Sequence, residues 1–141
     1  MRITTIILCF FLCLTALVGC RTENLEVSIV GKWTLTRIEG IKDGKVILSE
    51  NGLEAAKDIG IYSITFTDYG GLITEDYGTG YTDDWTYIIK GDCLYTNMFD
   101  YPEEDYFIIM SLTRKELILS LEEDSSETDY HEARFYFKRA E

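Results

Sequence analysis

Residues 85–98 read Trp85-Thr86-Tyr87-Ile88-Ile89-Lys90-Gly91-Asp92-Cys93-Leu94-Tyr95-Thr96-Asn97-Met98. Trp85, Tyr87 and Ile89 occupy alternate positions, Gly91-Asp92 interrupts, and Leu94, Thr96 and Met98 resume the same period of two. Successive side chains of a strand point to opposite faces, so this spacing collects the large residues on one face; a helix would scatter them. Gly91 accepts the positive φ of a tight turn, and the stretch therefore predicts an antiparallel hairpin.

The same pattern extends in both directions. Upstream, residues 29–38 set Trp33 and Leu35 against Thr34 and Thr36 and end at Glu39-Gly40; Asp43-Gly44 then predicts a hairpin into Val46-Ile47-Leu48. Residues 51–58 hold good helix formers, with Ser49 as the expected N-cap and Gly60 past the end. Residues 61–67 alternate again, with Tyr62, Ile64 and Phe66 on the face expected to point inward. A return strand over 72–77 and a Gly78-Thr79-Gly80-Tyr81-Thr82 loop lead into the opening hairpin.

Downstream, the acidic connection Tyr101-Pro102-Glu103-Glu104-Asp105 holds the only proline. It precedes a run in which Tyr106, Ile108, Met110 and Leu112 share the face expected to point inward. Arg114-Lys115 marks a turn, Leu117, Leu119 and Leu121 follow, and an acidic loop over 122–130 leads to Ala133, Phe135 and Phe137. Short strands in sequential order with turn signals every 8 to 12 residues or so predict an all-β fold. The specific expectation is an antiparallel up-and-down barrel of about eight to nine strands with one short helix. Trp33, Phe66, Trp85, Met110, Leu119 and Phe135 are expected to form one apolar interior. A barrel of this size is either filled by side chains or hollow enough for one small ligand.

Before the β-pattern, Arg2 is the only charge in residues 1–19, and residues 6–18 form an apolar run ending at Leu17-Val18-Gly19-Cys20. The run is shorter than the roughly 20 residues a membrane-spanning helix needs and has the layout of a secretory signal. Leu17-Val18-Gly19-Cys20 resembles the lipobox of bacterial lipoproteins, where a small residue permits cleavage and the cysteine thiol accepts a diacylglyceryl group. The resemblance implies a lipoprotein signal peptide over 1–19, a lipidated Cys20 with a polar tether over 20–27, and one domain over 28–141. It also implies anchoring by acyl chains, palmitate among them, in the cell envelope. Arg21 stands where an aspartate would resemble an inner-membrane retention signal, so the outer membrane is the expected site.

Ile29-Val30-Gly31-Lys32-Trp33-Thr34-Leu35 resembles the Gly-x-Trp opening strand of lipocalin-like domains. Ile64-Thr65-Phe66 with Gly71, the stretch from Trp85 to Leu94, and Ser111-Leu112-Thr113-Arg114-Lys115-Glu116-Leu117 are similar to the strand pairs that follow it. The resemblance covers most of residues 28–139 and implies a lipocalin-like β-barrel, without identifying a ligand. The chain lacks a cysteine pair for the disulfide that many secreted carriers of that family possess.

The charge narrows the function classes. Removing residues 1–19 leaves 12 basic against 25 acidic side chains, a formal charge of −13. Such a surface repels phosphate backbones and anionic lipid heads, which argues against nucleic-acid binding and electrostatic membrane docking. Contact with a membrane is then expected through the lipid on Cys20 alone. Cys93 is the only cysteine left to the domain, and His131 is the only histidine. Neither lies in a recognisable nucleophile–base setting, and the acidic groups lack the spacing of a Ca²⁺ loop, so no enzyme activity, metal or cofactor is expected.

Aromatic residues are the remaining lead. Trp33, Tyr62, Phe66, Trp85, Tyr87 and Tyr106 are the candidate lining of a site for a small apolar or amphipathic ligand. The alternative is a protein-interaction or envelope-structural module with a filled barrel and an envelope protein as partner. Its variants include an inhibitor of a basic enzyme.

Overall fold

Strand β1 (Gly31–Lys42) is long enough to meet three neighbours. Its residues 31–34 pair with β3 (Ile61–Phe66), 37–42 with β2 (Lys45–Asn51), and 33–41 with β9 (Glu132–Arg139), all antiparallel. The computed structural model describes residues 29–123 and 128–141. The expected signal peptide, the lipidation site Cys20, the tether, and residues 124–127 of the acidic loop lie outside them.

From β3 the chain meanders through β4 (Gly71–Asp76), β5 (Thr82–Lys90), β6 (Cys93–Thr96), β7 (Phe107–Leu112) and β8 (Glu116–Glu122) to β9. Each strand pairs antiparallel with the next, and β9 returns to β1. The result is a closed eight-stranded up-and-down barrel with β2 added outside it and, among the elements of the described residues, one short helix, α1 (Gly52–Ile59). This is the fold the alternation predicts. The Asp43-Gly44 hairpin forms as expected, both residues having positive φ (51° and 74°).

Two local expectations are corrected. The N-cap of α1 is Asn51 rather than Ser49, because β2 continues to Asn51 before the chain turns; Gly60 ends the helix in the left-handed conformation. Thr82, expected to end a loop, is instead the first residue of β5 and pairs with Glu75 of β4.

A larger correction concerns which faces point inward. On β7 the expected inward set of Tyr106, Ile108 and Met110 lies outside, Met110 being 49 % exposed, whereas Phe107 and Ile109 are buried. Both alternate sets are apolar, so a period of two could not choose between them. Met110 is then the extra residue of a bulge between Ile109 and Ser111, and the phase resets so that Leu112 packs on the core. On β3, Tyr62 is the extra residue between Ile61 and Ser63 and faces solvent. Ile61, Ile64 and Phe66 point inward in its place.

The two barrel ends differ. At one end Trp33 and Ile29 are fully buried, and the Trp33 indole N–H donates to the Ile29 carbonyl at 2.8 Å. The Arg139 guanidinium lies 4.1 Å from the Trp33 ring and donates to the carbonyls of Val30 and Arg114, each at 2.8 Å. These contacts close that end. The opposite end carries α1, the 77–81 and 97–106 loops, and the connection into β9. There β2 is an edge strand whose Val46, Ile47 and Leu48 are all exposed.

Candidate functional site

The bulges decide what the interior becomes, because each selects which side chain fills it. Beneath the open end lies a cavity of about 200 Å³. Ile59, at the last turn of α1, and Ile61, at the start of β3, form one side. Ala55 and Ala56 of the same helix are buried and hold α1 against the barrel. Met98 and Phe99 reach in from the loop after β6. Leu72, Leu94, Leu119 and Leu121 complete the aliphatic wall.

Aromatic rings supply much of the rest. Phe66, Phe107, Phe135 and Phe137 line the cavity from three parts of the barrel. Phe107 touches Phe99 with ring centroids 5.0 Å apart and meets Phe135 edge-on at 5.9 Å, so these three rings brace one another across strands. No lining side chain among the described residues carries a nitrogen or an oxygen. A space of this kind excludes water and accepts apolar matter.

Of the six candidate lining residues, Phe66 alone borders the cavity. Trp33 and Tyr87 are buried elsewhere in the same core: Trp33 at the closed end, and Tyr87 edge-on to Phe66 at 5.0 Å with its hydroxyl donating to the Thr67 carbonyl at 2.8 Å. Trp85 packs partly buried against the core, and its indole N–H donates to the Thr74 hydroxyl at 3.2 Å. Tyr62 and Tyr106 lie on the outer face, Tyr106 with its ring 5.2 Å from that of Tyr95. The Ile64, Leu94, Met98, Leu119, Leu121, Phe135 and Phe137 positions follow from alternation. Phe107 was hidden by the ambiguous phase of β7, and Phe99 and Ile59 by lying in a loop and at a helix end.

The titratable groups are those of a polar exterior. Hydrogen bonds from the Arg134 guanidinium and the Ser120 hydroxyl, each 2.7 Å long, hold the Glu132 carboxyl below its ordinary pKa. Glu75 is lowered in the same way by Lys32 at 2.7 Å and Ser63 at 3.0 Å. Near α1, a hydrogen bond with Asp58 raises the pKa of Glu50, and the charge of Glu54 adds to the effect. Burial raises the Cys93 thiol, with Asp92 beside it, which makes the thiolate scarcer at neutral pH. No group of His, Cys, Asp and Glu suited to holding a metal occurs among the described residues. No family model, characterised protein or solved structure matches the chain.

Proposed function

We propose that this chain is a lipoprotein of the bacterial cell envelope, anchored in the outer membrane through Cys20, whose lipocalin-like barrel binds a small apolar or amphipathic ligand without catalysing a reaction. The observation that supports the reading is the cavity of about 200 Å³ walled by apolar side chains inside a closed barrel. Interiors are normally packed to crystal-like density, and an unfilled apolar space costs stability in proportion to its volume. A ligand that fills it recovers those contacts. The cavity weighs against the alternative of a filled barrel serving only as an interaction or structural module.

Saturable binding of a hydrophobic fluorescent dye by the purified chain tests the reading. Leu119→Phe and Leu94→Trp reduce the space and are expected to weaken dye binding at least several-fold while circular dichroism stays that of a β-barrel. Absence of both dye binding and any ligand adduct in native mass spectrometry overturns it. The anchor has its own test: Cys20→Ser is expected to move the chain from membrane to soluble fractions, and unchanged membrane association rules the anchor out.

A further inference from the structure

Strands β7 and β8 part before they reach the open end. Their ladder starts at Ile108↔Ser120, whereas β8 stays paired with β9 up to Glu122↔Glu132. Where β7 and β8 separate, a cleft of about 270 Å³ opens, bordered by Glu104, Asp105, Tyr106, Ile108, Glu122 and Glu123. Leu121 completes its lining and also lines the apolar cavity. Leu121 thus borders both a hydrocarbon interior and an acidic opening.

The two spaces impose opposite chemical demands. Inside the cavity a polar ligand atom finds no side-chain partner among the described residues, and burying a polar group unpaired is unfavourable, so only hydrocarbon belongs there. A dry cavity of roughly 150 Å³ can hold benzene, which sets the scale of the chain segment that fits at about six to eight carbons. The cleft presents the carboxylates of Glu104, Asp105 and Glu122 and the Tyr106 ring, with no basic side chain in its lining among the described residues. Carboxylates attract a cation and oppose an anion, and an aromatic face adds to the attraction for an ammonium group.

We propose that the ligand is a single-chain cationic amphiphile, its alkyl chain in the cavity beyond Leu121 and its ammonium group among Glu104, Asp105, Glu122 and Tyr106. This rests on the binding function proposed above and narrows it to a ligand class. It separates alkyl amines from fatty-acid anions of the same length, which the cavity alone would treat alike.

The probes are decylamine, decanol and decanoate, titrated below micelle-forming concentrations into the full chain as cells process it, with carbon-13 on the methionine methyl groups. Met98 lines the cavity and Met110 lies on the outer surface, so they serve as reporter and control. Decylamine is expected to shift the Met98 signal with affinity on the order of tenfold higher than decanoate, about 1.4 kcal/mol, with decanol between them. The combined variant Glu104→Gln, Asp105→Asn and Glu122→Gln is expected to collapse that difference, as is raising the salt to about 1 M, where the screening length falls to about 3 Å. If decanol or decanoate binds as tightly as the amine, or if the difference survives both treatments, the cationic class is wrong although the cavity still binds. If none of the three shifts Met98, the binding function falls as well.

Discussion

Gly31 and Arg139 depend on each other. Gly31 has φ +133°, a conformation that side-chain-bearing residues rarely adopt, and a Cβ there would stand 2.6 Å from an Arg139 guanidinium nitrogen. The absent side chain leaves the guanidinium room to lie over Trp33. Gly31→Ala is therefore expected to destabilise the fold by more than ~1 kcal/mol. Arg139→Ala removes charge-assisted hydrogen bonds worth roughly 1.5–3 kcal/mol each and exposes the indole, with Arg139→Lys restoring only part because a single ammonium lacks the planar fork. Urea unfolding midpoints of the three variants check this order. The Gly-x-Trp spacing was legible in the sequence; its partner, more than a hundred residues away, was not, since chain order says nothing about which end of β9 meets β1.

Glu132 and Glu75 give acid sensitivity at the same scale. Both have pKa values lowered in the folded state, so each favours folding while ionised above the unfolded carboxylate range, and that contribution is lost as pH falls through the folded value. Stability measured by urea titration is expected to fall as pH drops below about 4.5. Glu132→Gln should flatten part of that fall, and an unchanged profile would show that its contacts with Arg134 and Ser120 do not matter energetically.

At the scale of the element, bulges explain where the pattern misled. On β5, β6, β8 and β9 one alternate set is apolar and the other polar or mixed, and the inward sets Trp85/Tyr87/Ile89, Leu94/Thr96, Leu117/Leu119/Leu121 and Ala133/Phe135/Phe137 were readable from spacing. On β7, residues 106–110 are apolar throughout, so the face is chosen by neighbours: Phe107 fits between Phe99 and Phe135. Charge substitution distinguishes the two faces directly. Met110→Lys is expected to change stability by less than ~0.5 kcal/mol, because the side chain already reaches water, and Ile109→Lys by several kcal/mol, because an ammonium would be buried unpaired. Equal effects would contradict the bulge. The helix was legible in existence but not in its start, since β2 holds the chain extended to Asn51 and so moves the cap two residues beyond Ser49.

On the scale of the whole molecule, the closure gives each of the eight barrel strands two neighbours, and it leaves the interior as the place where residues distant in sequence meet. The fold was therefore legible as a class, and the candidate site was not: period and turn chemistry identify strands, while the position of a cavity depends on which inward side chains are too small or too splayed to touch. Only Phe66 among the expected lining residues reaches it.

The closed end also fixes where the first and last strands stand. The Ala140 amide donates to the Lys32 carbonyl at 2.9 Å, and Arg139 bonds Val30 at 2.8 Å. Residues 30 and 140 are thus neighbours in space although they lie at opposite ends of the barrel's chain order. A short Gly/Ser linker from residue 141 to residue 29, with new ends opened between Thr79 and Gly80 in the exposed β4–β5 turn, should yield a circular permutant. Its dye affinity is expected to match that of the parent, because the cavity's walls depend on which strands are neighbours and not on where along the ring the chain is cut.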